Sequence, residues 1–521
     1  MFSLSRRAGV IITIVFAISA LLILYYIIFP SWVRNQIEDL GSDSKARFIV
    51  SVEKIHATVW PVGLLLNDVS IYPASSATTG GESLHVEKIT IEHIGLISLL
   101  FHKTYSIGHL TLHHPTGAWS LPSDDDARSE TNIPFNAFFH TITLKNVSLH
   151  LRKKGSDLAT TLENGNMIIK DVVLHKDSLF SSIGFRITEM DLESFHHVSP
   201  DSLYTFRAHN ILYSDKDSLL QVDSFFTLPN EDNYTFTRMQ PFQTDRVYSA
   251  FKNISIRQCH LNSLILKGDL RISSIHTDTF VLDIFRDRRR PFLHKKRPLF
   301  QDLLDLYPGV LSIDSIIAQN GNIKYTEHDI DASKPGFIWF SDVNAVMKNL
   351  YNDTSTLVTP HDTLIVAAQA LAMGKGKIQF ESKGKLSDPQ NTFVFNGSME
   401  NISVAAFNPI LIPNATIKAL DGYVHGIYFN LRADNSLAQG DLIFRYQDLS
   451  LLKVDEKTRT SKGLKNRLLT RILKRKIIED NPLPNDTLRT GTIHFERDQE
   501  KMFFWYMLKS IFSGIKETVI K

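Results

Sequence analysis

Adjacent histidines are the first candidates for chemistry in this chain of 521 residues, because two imidazoles can share a metal ion. They occur as His113 with His114 and as His196 with His197. Neighbouring residues of a strand point to opposite faces of a sheet, so neither pair can readily bind one ion. The acidic run 124–126 is better explained as a solvated loop than as a cation site. We therefore predict no metal site.

Other motifs that could carry catalysis are incomplete. Segment 374–377 lacks the full set of glycines, lysine and hydroxyl that a phosphate-binding loop needs. No Gly-x-Ser-x-Gly nucleophile elbow occurs in the sequence. Cys259 is the only cysteine, which excludes an intramolecular disulfide and a cysteine metal cluster. The sequence predicts no catalytic residue, no cofactor and no enzyme. A hydrolase with a dispersed site is the weakest alternative.

The elements that fill the rest of the molecule are marked by a recurring phrase: apolar, two polar residues, apolar, any residue, apolar. Its copies lie at 66–71, 86–91, 107–112, 144–149, 169–174, 251–256, 313–318 and 446–451, with an imperfect copy at 272–277. Alternating apolar residues predict half-buried strands. Repetition at this scale predicts a stacked array of similar units, each of which buries its apolar face beside its neighbours.

The polar doublet interrupts the alternation, because the spacing of apolar residues there is three instead of two. A β-bulge, or less often a tight two-residue turn, absorbs such a slip and bends the strand. We therefore predict a mainly β fold, an elongated, curved, repeating β-groove with a few capping helices and one N-terminal transmembrane helix. The apolar pairs after the doublets are the candidates for the groove lining: Ile89, Ile91, Leu110, Leu112, Val147, Leu149, Val172, Leu174, Ile254 and Ile256. The alternative is that they fill a closed β-core.

The N-terminus predicts a membrane anchor. Residues 10–29 form a run without charge, about 20 residues long, which is the length a helix needs to cross a bilayer. Tyr25, Tyr26 and Trp32 stand where interfacial aromatic residues belong. The run is too long for the apolar region of a cleaved signal peptide. We predict a cytoplasmic stub at 1–9, an uncleaved anchor at 10–29, and the bulk of the chain outside the cytoplasm.

The remaining chain is nearly neutral, with 57 basic and 55 acidic residues. A net charge near zero gives no reason to expect nucleic acid as a partner. The sharpest change in composition is a basic stretch at 286–297. We place the domain boundary there, between an N-terminal β-rich region at 30–290 and a C-terminal β-rich region at 291–521. The basic stretch is interpreted as a solvated linker, with contact to anionic headgroups as the alternative.

Two helices are predicted in the C-terminal region, near 461–478 and 503–518. The first is amphipathic and basic, and its candidates for contact with an anionic membrane surface are Lys465, Arg467, Arg471, Lys474 and Arg475. The simpler interpretation is a helix that covers one end of the sheet and exposes its cations to water. The second helix is predicted to cap the last strands, because Lys509 and Lys516 interrupt its apolar sequence.

Several features together resemble the AsmA-like family of Gram-negative bacteria. They are the single N-terminal anchor, the segment Trp-Pro-Val-Gly-Leu at 60–64 before the first copy of the phrase, and Ser-Leu-His-Val-Glu-Lys-Ile at 83–89. The segment 107–115 is similar to a strand of that family that closes on proline. A looser resemblance to the C-terminal domain of the family is found at 395–399, 407–409, Gly422 and 446–449.

The resemblance implies a single-pass inner-membrane protein whose bulk lies in the periplasm. It implies phospholipid as the ligand, the inner membrane as a partner through the N-terminal helix, and outer-membrane components as further partners. The implied function is lipid transport towards the outer membrane, or homeostasis of that membrane. An apolar groove would spare acyl chains the cost of exposure to water, about 0.8 kcal/mol per CH₂. The alternative function is a non-catalytic scaffold or assembly factor for outer-membrane proteins.

Overall fold

The computed structural model describes residues 25–26, 29–42, 48–73, 82–95, 104–121, 136–153, 159–175, 184–352, 362–454 and 476–520. Within these residues the protein is mainly β, with 64% strand and 6 helices. Most of the predicted anchor, at 10–24 and 27–28, lies outside the described residues. Among those described, no helix combines the length and the apolar character that a membrane crossing requires.

The chain divides into two compact units. The first takes in the described residues up to Ser202 together with Phe206–Asp217, and the second takes in Leu203–Thr205 and the chain from Ser218 onward. The boundary predicted at 290 from composition falls inside the second unit. We describe each unit by itself.

The strands of the first unit pair in the order in which they follow one another along the chain, from β1 to β7. Most neighbours are antiparallel, and β4 with β5 is a parallel pair. The strands are β1 Phe48–Val59, β2 Val62–Pro73, β3 Ser83–Ile94, β4 Thr104–Leu121, β5 Asn136–Lys153, β6 Ala159–Leu174 and β7 Gly184–Val198. The next strand, β8 at Tyr204–Ser214, contains the point of division.

The second unit follows the same rule of sequential pairing, from β9 to β19, and here β11 with β12 is the parallel pair. Its strands are β9 Leu219–Pro229, β10 Arg246–Arg257, β11 Leu270–Asp287, β12 Leu311–His328, β13 Gly336–Tyr351, β14 Thr363–Ala372, β15 Gly376–Lys385, β16 Phe393–Ser403, β17 Ile417–Ala433, β18 Leu437–Lys453 and β19 Thr490–Glu496. Sequential pairing of this kind is typical of a meander built from hairpins.

The helices are short except at the two ends of the described chain. They are α1 Phe29–Ser42, α2 Asn233–Met239, α3 Leu261–Lys267, α4 Phe300–Leu304, α5 Asn408–Ala415 and α6 Phe503–Val519, with a 3₁₀ turn at Val404–Phe407. The helix predicted near 503–518 is therefore present as α6, and it packs on β18 and β19 as expected of a cap. The helix predicted near 461–478 falls mostly outside the described residues.

The polar doublets of the repeated phrase have an unusual backbone. In five copies of the phrase the second residue of the doublet is Asn or Asp in the left-handed region, as at Asp68 with φ 53°, Asn146 with φ 54° and Asn253 with φ 51°. Asn and Asp tolerate this conformation better than other residues with a side chain, which explains their place in the phrase. On β2 both doublet residues turn away from the core, while Leu66 and Val69 on either side of them are buried.

The predicted bulge is correct for some strands and wrong for others. Register shifts occur between β5 and β6 next to Asn146, and between β6 and β7 next to Asp171. Between β1 and β2 the register continues unchanged across Asp68, with Asn67 opposite Lys54 and Val69 opposite Val52. No residue is inserted there, because one left-handed residue alone returns the next side chain to the original face.

The second unit contains two packed clusters. The larger one joins buried residues of β16 to β19 to α6, and Leu431, Leu442, Ile493, Tyr506 and Met507 are among its members. The smaller one joins buried residues of β11 to β14 to α4. Both clusters bury large side chains between a helix and the sheet, which is how an amphipathic helix normally stabilises a strand layer.

The basic stretch at 286–297 is not a solvated linker. Arg286 donates two hydrogen bonds of 2.7 Å to the carboxylate of Asp245. Arg289 similarly pairs with Asp287. Burial lowers the pKa of the Arg286 guanidinium, but Asp245, Tyr325 and Glu327 together outweigh that effect and raise the pKa overall. Internal ion pairs therefore neutralise much of this positive charge and hold the stretch against β10 and β11.

Candidate functional site

The first unit carries apolar rows that cross its strands from β1 to β7. One row, joined pair by pair through the register, consists of Ala57, Leu64, Ile91, Leu110, Ile142, Ile169 and Ile187. The next row consists of Ile55, Leu66, Ile89, Leu112, Leu144, Met167 and Met190. We call the face that carries these two rows the inner face of the first unit. Directly opposed apolar residues on one face stabilise a sheet, and here they also make that face continuously apolar.

Further rows flank these two on the same face. One of them runs through Val50, Ile71, Leu84, Gly117, Leu149, Leu162 and Phe195. Another joins Ile94, Ile107, Phe139 and Val172. Because the left-handed doublet residue resets the alternation, apolar residues on both sides of a doublet reach the same face. The repeated phrase therefore extends the apolar face along each strand as well as across the strands.

The eight lining candidates of the first unit all lie in these rows or next to them. Ile89, Ile91, Leu110, Leu112, Leu149 and Val172 are row members. Val147 is opposite Gly165, and Leu174 is opposite Ala137. Val147 and Val172 are buried, and the other six are half-buried. The register thus brings together residues that the sequence separates by up to about 80 positions, and they form one surface.

A helix covers only the beginning of this inner face. In the described part of the first unit, α1 packs against β1, and Phe29 and Val33 join a cluster with Leu64, Leu66 and Val69. The Tyr25 hydroxyl accepts a hydrogen bond of 2.9 Å from the backbone N–H of Gly63, which fixes the start of the helical segment at the β1–β2 turn. Further along, the rows on β3 to β6 remain half-buried.

The opposite face of the first unit is polar, and the doublet residues form a hydrogen-bonded chain on it. Glu87 contacts His114 Nδ1 at 2.6 Å, and His114 Nε2 contacts the Asn146 amide at 2.9 Å. The backbone N–H of Asn146 then donates to Asn166 Oδ1. These contacts link β3, β4, β5 and β6 at the level where the ladder is interrupted. The last of them satisfies the backbone N–H of Asn146 at the point where the doublet interrupts the ladder.

The paired histidines take structural positions in this arrangement. His114 belongs to the chain of contacts just described, and His197 Nδ1 lies 2.8 Å from the hydroxyl of Thr160. Burial lowers the pKa of His113, and Lys145 and Lys88 lower it further. Within the described residues, no group of three or more His, Cys, Asp or Glu side chains is arranged to hold a metal ion.

The second unit has a hollow in the middle of its sheet, with a volume of about 620 Å³. It is lined by consecutive residues of six strands, at 317–319, 344–346, 367–369, 379–381, 396–398 and 428–429. One row of the register passes through the middle of this lining: Ala318, Ala345, Ala368, Phe380, Gly397 and Phe429. Four of its six members are Ala or Gly, so the hollow lies where the side chains are small. Its volume is within the range of about 300–1,000 Å³ that is common for ligand sites.

The two lining candidates of the second unit, Ile254 and Ile256, have different surroundings. Ile254 pairs with Thr277, which pairs with Ala318, so it lies on the row that enters the hollow. We call the face that carries this row the inner face of the second unit. Ile256 instead packs in the cluster under α4. Ile256 is therefore partly buried against a cluster that includes α4, whereas Ile254 lies on the row of the hollow.

The membrane-surface candidates lie outside the described residues. They are Lys465, Arg467, Arg471, Lys474 and Arg475. Their proposed role stays a prediction. The described chain resumes at Lys476, and Ile477 forms an isolated β-bridge with Ile520 beside the end of α6.

Sequence reasoning missed the residues of the hollow. Ala345 and Ala368 do not belong to a recognised copy of the phrase, and Gly397 was noted only as part of a family-like segment. A signal was present for Ala345, which stands between Val343 and Met347 at every second position, whereas Ala318 and Ala368 end continuous apolar runs. Small residues at such positions leave space on the buried face, but the register that aligns them cannot be read from one strand at a time.

Comparisons with known proteins do not assign a family. No protein-family model matches the chain. No curated protein matches it either. Function is therefore inferred from the inner faces, the hollow and the sequence.

Proposed function

We propose that this protein is a membrane-anchored envelope protein that binds phospholipid acyl chains on its inner faces and assists lipid transport towards the outer membrane or homeostasis of that membrane. The observation that carries the proposal is the set of apolar rows across β1 to β7 of the first unit. The resemblance to AsmA-like proteins and the apolar run at 10–29 support a location in the inner membrane with the bulk of the chain in the periplasm.

The chemistry of the rows fits acyl chains and needs no catalytic residue. Ile, Leu, Val and Met side chains offer no hydrogen-bond donor or acceptor, so they select for hydrocarbon and not for a headgroup. Each CH₂ that leaves water for such a surface gains about 0.8 kcal/mol. A chain that slides along a row exchanges one apolar contact for the next, so the barrier to movement stays low. The headgroup remains in water at the edge of the face.

The hollow of the second unit supports the same ligand class. Its central row offers Ala and Gly as a floor, and Phe380 and Phe429 as bulky apolar neighbours. Gln319, Gln369 and Gln379 also line the hollow, but each is the strand neighbour of a row residue, so its side chain points to the other face. An apolar floor of this kind suits the acyl chains of an amphipathic molecule such as a phospholipid.

The decisive experiment is native mass spectrometry with lipid extraction on the full chain in mild detergent. The double variant Ile89→Asp with Leu112→Asp places two carboxylates opposite each other in one row, because these residues are direct partners between β3 and β4. We expect several phospholipids on the wild-type chain and a large reduction in the double variant. Circular dichroism reports whether the variant retains its strand content.

The matched control is Thr90→Asp with Thr111→Asp. These residues are also direct partners on β3 and β4, but they lie on the other face of the sheet. The control variant should keep its lipid. A folded wild-type chain without lipid would contradict the proposal and favour the scaffold or assembly role, in which the sheet binds protein partners. If the two double variants lose equal amounts of phospholipid, the inner face is not the binding surface.

A further inference from the structure

The turn between β1 and β2 presents a tryptophan directly to the surroundings. Trp60 is 95% exposed, the highest value among the large apolar residues that the structure describes as exposed. An isolated exposed apolar side chain needs no explanation, but a fully exposed indole at the tip of a hairpin is costly in water. Tryptophan prefers the membrane–water interface, where its ring lies among headgroups and its N–H finds a polar partner.

The tip is held rigidly next to the end of the predicted anchor. The Tyr25 hydroxyl accepts from the N–H of Gly63 at 2.9 Å and lies 2.9 Å from the carbonyl oxygen of Thr58. Thr58 Oγ1 donates to the carbonyl of Pro61 at 2.8 Å, which closes the turn around Trp60. The turn that carries Trp60 is therefore connected to Tyr25 at a fixed position.

The position of Tyr25 in the sequence indicates how deep the β1–β2 hairpin tip lies relative to the bilayer. Tyr25 belongs to the uncharged run at 10–29 and stands four residues before its end. Four residues correspond to about 6 Å along a helix axis. If the run crosses the bilayer, a turn that is bonded to Tyr25 lies at or below the level where the run leaves the hydrocarbon. Tyr26 and Trp32 are also exposed on this segment, so several aromatic residues share the same zone.

We infer that the β1–β2 hairpin tip is inserted into the membrane interface, with Trp60 among the lipid headgroups. The inference rests on the proposed function, because it takes the run at 10–29 as the anchor, and it deepens that function by defining where lipid enters. Ala57 and Leu64, the first pair of one apolar row, lie three and four residues from Trp60. The inner face of the first unit thus begins at the bilayer surface. Because α1 covers this first pair, an acyl chain reaches the half-buried part of the row, from Ile91 on β3 onward, beside that helix without crossing water.

Site-directed fluorescence tests the insertion on the full chain. Cys259→Ser removes the only native cysteine, and Trp60→Cys then carries an environment-sensitive NBD label. The protein is reconstituted into phosphatidylcholine vesicles that contain a shallow or a deep doxyl-labelled phosphatidylcholine. We expect a blue-shifted emission at position 60 and stronger quenching by the shallow quencher than by the deep one.

The matched control is Tyr72→Cys in the same background. Tyr72 is an exposed aromatic residue near the other end of the same hairpin, about 30 Å from the tip along β2. We expect no quenching at position 72. Absence of quenching at position 60 would overturn the inference, and equal quenching at both positions would overturn it too, because the hairpin would then lie flat on the membrane.

A second measurement separates lipid entry from lipid binding. Trp60→Ser should slow the transfer of a fluorescent phosphatidylcholine from vesicles to the protein severalfold. The same variant should bind as much lipid as the wild type when lipid is supplied in detergent. An unchanged transfer rate would contradict a role of the tip in lipid entry. If neither protein binds lipid, the proposed function fails, while the quenching result still reports whether the tip is inserted.

Discussion

On β3 to β5 the inner face of the first unit carries rows of Ile and Leu that stay half-buried, whereas much of the second unit is packed under α4 and α6. Both units use sequential strand pairing and the same left-handed polar doublets. The difference lies in what covers the face and in the size of the side chains. In the second unit an open hollow lies where the central row is largely Ala and Gly. Helical cover and residue volume therefore decide whether similar strands form a core or a surface for ligands.

The largest expected effect comes from truncating a leucine in each unit. Leu442 is 1% exposed and lies beneath Gly514 of α6, so Leu442→Ala should cost about 2–5 kcal/mol of unfolding free energy. Leu112 is half-buried on the inner face of the first unit, and Leu112→Ala should cost only about 1 kcal/mol. Denaturant unfolding of delipidated protein measures both. Equal losses would mean that the two faces are packed alike.

A somewhat smaller effect is expected from forcing α6 away from the sheet. A Cβ atom built at Gly514 would lie 3.0 Å from side-chain atoms of Ile493 and Leu442, so Gly514→Val must displace the helix or these neighbours. We expect a loss of about 1–3 kcal/mol and increased binding of an apolar dye. Gly184→Val is the control, because nothing lies within 4 Å of the added Cβ atom there. If Gly514→Val leaves the unfolding free energy unchanged, α6 does not close the second unit.

Substitution of a left-handed doublet residue should lower the stability by the same amount in both units, because the backbone conformation at these residues is the same. Asn146→Val and Asn253→Val each place a β-branched residue at positive φ and should cost about 1–2 kcal/mol. Asn146→Gly and Asn253→Gly remove the side chain but accept this conformation, so they should be less destabilising. Thermal unfolding compares each pair. If valine is tolerated in one unit alone, the doublets there do not hold the strand geometry.

The smallest effect concerns acid sensitivity near the basic stretch of the second unit. Burial alone would raise the pKa of Asp287, but hydrogen bonds from the side chain and backbone of Arg289 outweigh it, and the pKa lies below its ordinary value. A carboxyl with a lowered pKa in the folded state stabilises the protein above its unfolded pKa, and this contribution disappears as the pH falls through the folded value.

The test compares urea unfolding at pH 6 and at decreasing pH below 4. Asp287→Asn should be less stable than the wild type at pH 6, and the difference should shrink as the pH falls. His140, which approaches Asp171 to 3.6 Å on an exposed surface of the first unit, supplies the comparison. His140→Gln should change stability little at any pH, because exposed ion pairs contribute little. A constant difference for Asp287→Asn would show that this carboxyl is not titrating in the measured range.

The sequence predicted the strands and the face they share, because alternation is a local property of each strand. Ile89 and Leu112 stand at apolar positions of separate copies of the phrase, and the register makes them direct partners. The doublet was identified as the place where the alternation slips, but its geometry was predicted only in part. A bulge and a single left-handed residue produce the same spacing of apolar residues, so the spacing at Asp68 cannot distinguish them.

The parts that the sequence did not predict depend on contacts between distant segments. Ile256 and Ile254 have the same local pattern, yet only Ile256 packs against the cluster that includes α4, about 45 residues later in the chain. The ion pair of Arg286 with Asp245 likewise spans 41 positions, so the basic stretch looked like a linker when seen alone. The exposure of Trp60 depends on the packing around its hairpin, so the sequence could not predict it either.

Sequential pairing also has a consequence for how such a molecule can change its length. Each strand from β1 to β7 is bonded to its neighbours in the chain, and the doublets keep the apolar rows aligned from one strand to the next. Duplication of one hairpin would therefore add two strands, or about 10 Å, to a row without disturbing the strands on either side. The length of the apolar surface is thus a quantity that gene duplication or deletion can adjust in small steps, while the chemistry of the surface stays constant.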